Sequence, residues 1–274
     1  MDINEISVTA DEDGANAVDL LAGASTYSKV KIKRAMTSGA VWIKQNNKTK
    51  RLRRAKAKLQ KGDQIFLYYD EKVLNTEVVA PTLISEEKSF SVWYKPSGLL
   101  SSGSKFGDHC AINRWIEMNK KPQQSVFIVH RLDRFATGLI VLAHTKSAAA
   151  ALSEQFKNRD VNKIYKVIAN GILEEDCQID LSLDGKESLS IVKLLEKDSE
   201  KNQCLLSVDI KTGRKHQIRR HLSHIGHPVV GDRQYGDDTK NELKLCACEL
   251  SFNHPKTGQR MNYVLDQALQ PKLF

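Results

Sequence analysis

The chain has 274 residues, 41% hydrophobic and 27% charged, a length that suits one large domain plus a small one and a composition ordinary for a globular protein. It has no apolar run near the roughly 18 residues of a membrane-spanning helix. The acidic start Met1-Asp2-Ile3-Asn4-Glu5 lacks the apolar core of a secretory signal, and five cysteines without Cys-x-x-Cys spacing predict reduced thiols in a cytoplasmic protein. The net charge of +9 is concentrated: residues 29–61 hold 13 Lys or Arg and no Asp or Glu, residues 1–28 hold six acids and no base, and the rest is nearly neutral. Concentrated positive charge is the footprint of a surface that contacts a phosphate backbone.

In chain order, Ser28 to Met36 predicts a helix carrying Val30, Ile32 and Met36, stopped by Gly39. Ala40-Val41-Trp42-Ile43 predicts a short strand, Leu59 to Asp63 a turn, and Ile65-Phe66-Leu67-Tyr68-Tyr69 a second strand rich in aromatic and β-branched residues. The pieces Ser28-Lys29, Ser38-Gly39-Ala40-Val41 and Lys61-Gly62-Asp63-Gln64-Ile65 resemble the S4 RNA-binding domain, whose usual Arg-Leu-Asp opening is reduced here to Val18-Asp19-Leu20-Leu21. That resemblance implies a small α/β RNA-binding domain over residues 1–75, with Lys29, Lys31, Lys33, Arg34, Arg51, Arg53 and Arg54 as its RNA contacts. Residues 76–89 read as a linker, polar at Ser85-Glu86-Glu87-Lys88.

From residue 90 strands and helices are interleaved. Phe90 to Tyr94 predicts a strand ending in the turn Lys95-Pro96-Ser97-Gly98. The apolar run Val126 to Val129 leads into His130-Arg131-Leu132-Asp133-Arg134, and Thr137 to Ala143 follows as a buried strand. Asp133 thus sits on a tight connection between two arginines. Fixed cations favour its ionised form, which is what a covalent or electrostatic catalyst at a sugar carbon needs. Ala148 to Asn158 predicts a helix with Ser147 as N-cap and Leu152 and Phe156 on one face. Ile164 to Ala169 and Cys204 to Ile210 alternate as strands, and His216 to Ile225 predicts a helix presenting Ile218, Leu222 and Ile225. Leu245 to Leu250 predicts a strand with Cys246 and Cys248 as small core residues. The spacing of His216, His221, His224 and His227 lacks the pattern of a metal site, so no metal is expected. The class is α+β: a mixed, mostly antiparallel sheet with flanking helices over residues 90–274, behind the small N-terminal domain.

Four segments in order resemble the RluA family of RNA pseudouridine synthases: Tyr94-Lys95-Pro96-Ser97-Gly98-Leu99; His130-Arg131-Leu132-Asp133-Arg134 with Thr137-Gly138-Leu139; Lys163-Ile164-Tyr165; and Thr212-Gly213-Arg214-Lys215-His216-Gln217-Ile218-Arg219-Arg220-His221-Leu222, continuing to Gly226-His227-Pro228 and Gly231-Asp232-Arg233-Gln234-Tyr235-Gly236. The resemblance implies isomerisation of uridine in RNA to pseudouridine without a cofactor: the glycosidic C–N bond is cleaved, the uracil turns over while bound, and a C–C bond forms through C5. It implies Asp133 as the catalytic carboxylate, Tyr165 as the active-site phenol that stacks on uracil or relays a proton, and Arg219 as the basic partner of Asp133. Arg220 points about 100° away on the same helix.

The target base must leave its stack to be reached, and the resemblance implies that Arg131 fills the vacated space. Lys95, Arg134, Arg214 and Lys215 are expected to contact RNA, with His216 and His221 adding phosphate contacts, and His130 is expected to hold the turn. Two departures stand out. Phe135-Ala136-Thr137 replaces the usual acidic-Thr-Ser, and Lys215 stands where Thr is common. The S4-like domain points to structured ribosomal RNA, with transfer RNA as the alternative, and to a monomer that needs no membrane. A non-catalytic RNA-binding protein on the same scaffold is the second reading, opposed by the intact Asp133, Tyr165 and Arg219. A hydrolytic glycosidase or nuclease would call for a second acid or a metal cluster.

Overall fold

The computed structural model describes residues 3–273. The chain divides into two compact units. The first runs to Val78 and also takes in Ser102–Met118. It contains β1 (Ile3–Thr9), α1 (Ala17–Gly23), α2 (Lys29–Thr37), β2 (Val41–Gln45), β3 (Lys48–Arg51), β4 (Gln64–Asp70), α3 (Glu71–Leu74) and most of α4 (Ile112–Asn119). The strands form an antiparallel sheet in the order β1-β4-β2-β3. α2 starts where predicted because the Ser28 side chain accepts the Lys31 amide, satisfying one of the free donors of the first turn. Its buried face is Ile32, Ala35 and Met36, packed with Leu21, Val41, Ile65 and Leu67, whereas Val30 faces water. The Lys61-Gly62-Asp63 turn is fixed by Asp63, whose carboxylate accepts the Gln60 amide at 2.9 Å and the Gln45 side chain at 2.8 Å.

Ion pairing explains why the 102–118 segment belongs with this unit. Asp108 receives Arg51 Nε at 3.1 Å and also the Arg53 guanidinium, and the Arg51 guanidinium lies 4.3 Å from the Trp42 ring centre. This corrects two expectations. Arg51 and Arg53 spend donors inside the unit, so these two are internal ties rather than free RNA contacts, whereas Arg34, which donates to the Leu74 carbonyl at 3.0 Å, is exposed. Lys29 and Lys31 make exposed ion pairs with Asp19 and Glu71, and Lys33 and Arg54 face solvent. Residues 76–89 are also not a plain linker, because Thr82–Glu86 forms a strand of the second unit.

That second unit holds Val79–Ser101 and the chain from Asn119 onward. It contains β5 (Thr82–Glu86), β6 (Phe90–Lys95), β7 (Phe127–Ile128), β8 (Thr137–Ala143), α5 (Lys146–Asn158), β9 (Asn162–Asn170), β10 (Cys177–Asp180), β11 (Leu189–Asp198), β12 (Gln203–Ile210), α6 (Gln217–His224), β13 (Leu245–Asn253) and β14 (Arg260–Val264). Ten strands form one mixed sheet, ordered β10-β11-β12-β9-β13-β8-β6-β5, with β7 on β8 and β14 on β13. Only the short β13–β8 pairing is parallel among the described pairings. β8 is buried on both faces, with Leu139, Val141 and Ala143 against Leu152 of α5. The N-cap of α5 is Thr145, whose hydroxyl accepts the Ala148 amide at 3.2 Å, rather than the expected Ser147. Among the described residues no helix is long and apolar enough to cross a membrane.

One row of the sheet positions the chemistry. Tyr165 of β9 and Gly138 of β8 lie opposite Ala247 of β13, one on each side. Gly138 has φ +108°, and a Cβ there would meet the Ala247 carbonyl oxygen at 2.2 Å. Only glycine lets the two backbones approach so closely. Gly138→Ala should therefore destabilise the protein by about 3 kcal/mol, from backbone strain plus overpacking. Denaturant unfolding measures this, and a loss under about 0.5 kcal/mol would contradict the constraint.

Candidate active site

Asp133 lies on the loop between β7 and β8, and that loop is tied down at several points. Ser101 Oγ donates to the Leu132 carbonyl at 2.7 Å and accepts the Leu132 amide at 2.9 Å. The Gly98 amide donates to the Arg134 carbonyl at 3.0 Å, and Arg134 Nε returns a bond to the Gly98 carbonyl at 3.3 Å. The turn after β6 and the Asp133 turn thus clamp each other. At the centre of the clamp sits Lys95, fully buried, whose Nζ donates to the carbonyls of Pro96, Leu99 and Arg134 at 3.0, 2.9 and 3.1 Å. Burial pushes its amine down to about 7, against the pull of Asp133. Lys95 is therefore a structural tie and not the RNA contact expected of it, because its donors are spent on buried carbonyls.

His130 has the role expected. Its Nε2 accepts the Val141 amide at 3.0 Å and its ring stacks on Phe156 at 4.4 Å. Burial, assisted by Lys163, pushes it down to about 3, so it is a neutral acceptor that fixes the start of the loop.

The carboxylate of Asp133 meets α6. Arg219 Nη1 donates to Asp133 Oδ2 at 3.3 Å, while its Nε and Nη2 grip Asp232 at 2.8 and 2.7 Å. Asp232 is fully buried and also accepts the amides of Gln234 and Tyr235 at 2.9 and 3.1 Å. Burial alone would lower the Arg219 guanidinium and raise the Asp232 carboxyl. The hydrogen bonds between them, with Asp133 adding to the pull on Arg219, reverse both directions and keep the pair charged. Arg220 turns away and forms a two-point pair with Asp184 at 3.0 and 3.2 Å. The neighbouring arginines expected to flank Asp133 do so only in sequence. Arg131 is exposed and Arg134 holds Gly98.

His216 faces the same carboxylate, with its Nε2 3.8 Å from Asp133 Oδ1 and its Nδ1 3.0 Å from the Tyr235 hydroxyl. It caps α6 in a left-handed conformation, φ +54°. Burial lowers its basicity, Asp133 opposes that, and Arg219 and Lys215 reinforce it. Sequence reasoning placed His216 among phosphate contacts and missed this position. The available signal was its place at the start of the helix that carries Arg219, which brings it near the same carboxylate. His221, expected to touch phosphate, is instead buried, with Nε2 2.9 Å from Ser188 Oγ and 3.2 Å from the Leu181 carbonyl.

Tyr165 is 7% exposed, and burial together with the nearby Asp133 raises its phenol, which therefore keeps its proton. Asp133, Tyr165, Arg219, His216, Ile218 and Leu245 line one small cavity of about 90 Å³. It lies between two wider grooves. The first, about 590 Å³, shares Arg131, Tyr165 and Arg214 with the cavity and adds Lys157, Arg159, Lys163 and Lys211. The second, about 570 Å³, shares Asp133, His216 and Arg219. Arg214 also donates to the Glu187 carbonyl at 3.0 Å, and Lys215 is exposed beside it. Among the described residues no group of three His, Cys, Asp or Glu gathers as a metal site.

The family described as RNA pseudouridylate synthase matches residues 89–224, the span that holds Asp133, Tyr165 and Arg219. A tRNA pseudouridine synthase C of Vibrio cholerae is 32% identical over 202 residues, covering 60% of this chain and 82% of that protein. A ribosomal large subunit pseudouridine synthase D of Neisseria meningitidis is 29% identical over 280 residues, covering 86% and 71%. Among solved structures, human RNA pseudouridylate synthase domain containing 1 has the same fold, with a TM-score of 0.60 at 23% identity, covering 70% of this chain and 85% of that one.

The His130 environment makes a signed prediction. Its folded-state value lies below the ordinary 6.5, so between pH 6.5 and about 3 the unfolded chain binds the extra proton and acid weakens the fold. From pH 6.5 to 5 this contribution amounts to at most about 2 kcal/mol. Denaturant unfolding of wild type and His130→Asn should show the wild-type advantage shrinking by that amount over this range. A gap independent of pH would show that His130 is not held neutral.

Proposed function

This chain belongs to the RluA family of RNA pseudouridine synthases, and on that premise we propose how its own residues meet RNA and isomerise uridine. The observation that carries the reading is the Asp133 carboxylate, held against Arg219 at the floor of a cavity that Tyr165 also lines. The target uridine enters this cavity after leaving its stack, and Arg131, exposed at the edge shared by the cavity and the 590 Å³ groove, takes its place in the RNA.

Asp133 carries the reaction as a carboxylate, and Arg219 keeps it charged and aimed. The phenol of Tyr165 packs against the uracil and donates a hydrogen bond. Burial and Asp133 keep its phenol protonated, so it cannot stand as a base and handles the C5 proton only in relay with a group that receives it. His216 is the candidate for that group, since it faces Asp133 and burial favours its neutral, proton-accepting form.

The 590 Å³ groove holds phosphates through Lys157, Arg159, Lys163, Lys211 and Arg214, with Lys215 beside it. The N-terminal unit adds Lys29, Lys31, Lys33 and Arg54 as an S4-like RNA-binding surface. Structured ribosomal RNA is the substrate this charge favours, since a separate basic domain lengthens the contact with a folded RNA. The similarity to a ribosomal large subunit enzyme across 86% of this chain supports the same choice, with tRNA as the alternative target.

Asp133→Asn should abolish tritium release from C5 of uridine-labelled, unmodified RNA while leaving RNA affinity within about threefold, because the carboxylate is not a phosphate contact. Turnover near wild type would remove Asp133 from the chemistry. Replacing Lys31, Lys33 and Arg54 together by Ala should reduce the slope of log affinity against log salt by up to about 3, as three phosphate contacts are lost. An unchanged slope would mean that this surface does not touch RNA.

A further inference from the structure

The second groove beside Asp133 is left unused by the chemistry above. Its most unusual wall is Phe135, 46% exposed two residues after the catalytic carboxylate. What sets it apart from the other exposed apolar side chains is its place, on the wall of a groove that Asp133, His216 and Arg219 also line. Phe135 stands where the family pattern noted above has an acid. The Arg134 guanidinium lies 5.3 Å from the ring centre, within range of a cation–π contact. Arg134 is itself anchored through its Nε and carbonyl to Gly98, so the pair is fixed to the clamped loop rather than free to swing. The groove also carries Arg233 and the amide side chains of Gln234 and Asn241. Its two carboxylates are Asp133, already paired with Arg219, and Glu242.

We propose that the 570 Å³ groove is a subsite for the unpaired nucleotide next to the target uridine, with Phe135 as the platform on which its base stacks and Arg134 and Arg233 on its phosphates. The proposal rests on the pseudouridine synthase reading and deepens it. Three features point to a nucleotide. The groove is continuous with the catalytic cavity through Asp133, His216 and Arg219, so whatever adjoins the bound uridine lies over it. Extruding a uridine deprives its neighbour of a stacking partner, and an exposed ring with an arginine beside it supplies a replacement. The flanking arginines match the phosphates that a nucleotide brings. Gln234 also lines the groove and can meet a base edge, while Asn241 is held by Asp238 through its side-chain amide at 3.0 Å, which makes this groove a source of sequence preference around the target.

The test uses the full chain and the variants Phe135→Ala, Phe135→Tyr and Phe135→Asp. The binding probe is a single-stranded RNA heptamer with a central uridine and 2-aminopurine on its 5′ or 3′ side. Wild type and the Tyr variant should quench 2-aminopurine on one side only, while Ala and Asp should not. On a tritiated, unmodified ribosomal RNA transcript, Phe135→Ala should raise KM about tenfold, more than it lowers kcat, with Phe135→Tyr restoring it and Phe135→Asp weaker still. Quenching that survives Phe135→Ala, or a KM unchanged by it, overturns the subsite. Failure of the enzymatic reading is separate: it shows as no tritium release by the wild-type protein, whatever the heptamers report.

Discussion

The site depends on one guanidinium shared by two carboxylates. Arg219 spends one edge of its planar fork on Asp232, through Nε and Nη2, which leaves Nη1 to face Asp133. A buried carboxylate is tolerated only when paired and hydrogen-bonded, and Asp232 meets that condition with Arg219 and two backbone amides. Asp232 is thereby a positioning residue. It fixes the direction of Arg219, and Arg219 fixes that of the Asp133 carboxylate. A lysine, with a point charge on a flexible stem, could not hold both partners in one plane. The three groups together leave a net negative charge in the cavity, while the 590 Å³ groove beside it carries Lys157, Arg159, Lys163, Lys211 and Arg214.

The scaffold below makes this arrangement rigid. The row Tyr165–Ala247–Gly138 sets the phenol and the Asp133 loop two strands apart, and Gly138 is the residue that permits it. Lys95, Ser101 and His130 then hold the loop from three sides, each by hydrogen bonds to backbone groups. Catalytic groups need placement to within about half an ångström, and rigid strands with buried ties supply it. The residues next to Asp133 in sequence do not pair with it: Arg131 is exposed, and Arg134 holds the clamp and lines the Phe135 groove.

The elements legible in the sequence were those whose own residues decide them. α2 announced itself through its Ser28 cap and buried spacing, β8 through an unbroken apolar run, and β9 and β12 through alternation. α5 was visible too, but its cap lay two residues earlier, at Thr145. Asp133, Tyr165 and Arg219 were recoverable as a set because the four segments keep their order, and the structure gathers them around one cavity. What was not legible depends on distant partners. Arg51 and Arg53 looked like RNA contacts because their partner, Asp108, lies more than fifty residues away. Lys95 looked exposed because a lysine after a strand usually is, and only the folded loops show three carbonyls converging on it. The strand Thr82–Glu86 is an exposed edge, so its polar sequence read as linker. His221 read as a surface charge until Ser188 and Leu181 closed over it.

In the proposed reading, phosphate contacts of the first groove and the N-terminal surface give affinity and salt dependence, whereas the cavity and the Phe135 groove meet bases. The central claim is that the Asp133 cavity converts uridine to pseudouridine within an intact RNA strand. Nucleoside mass spectrometry after nuclease digestion, on unmodified ribosomal RNA transcripts incubated with the purified full-length protein, tests it most directly. The account predicts that pseudouridine appears at discrete positions, matched by an equal loss of uridine and with the RNA length unchanged before digestion. RNA that is bound but returned unmodified, or that is cleaved or releases free uracil, would contradict it.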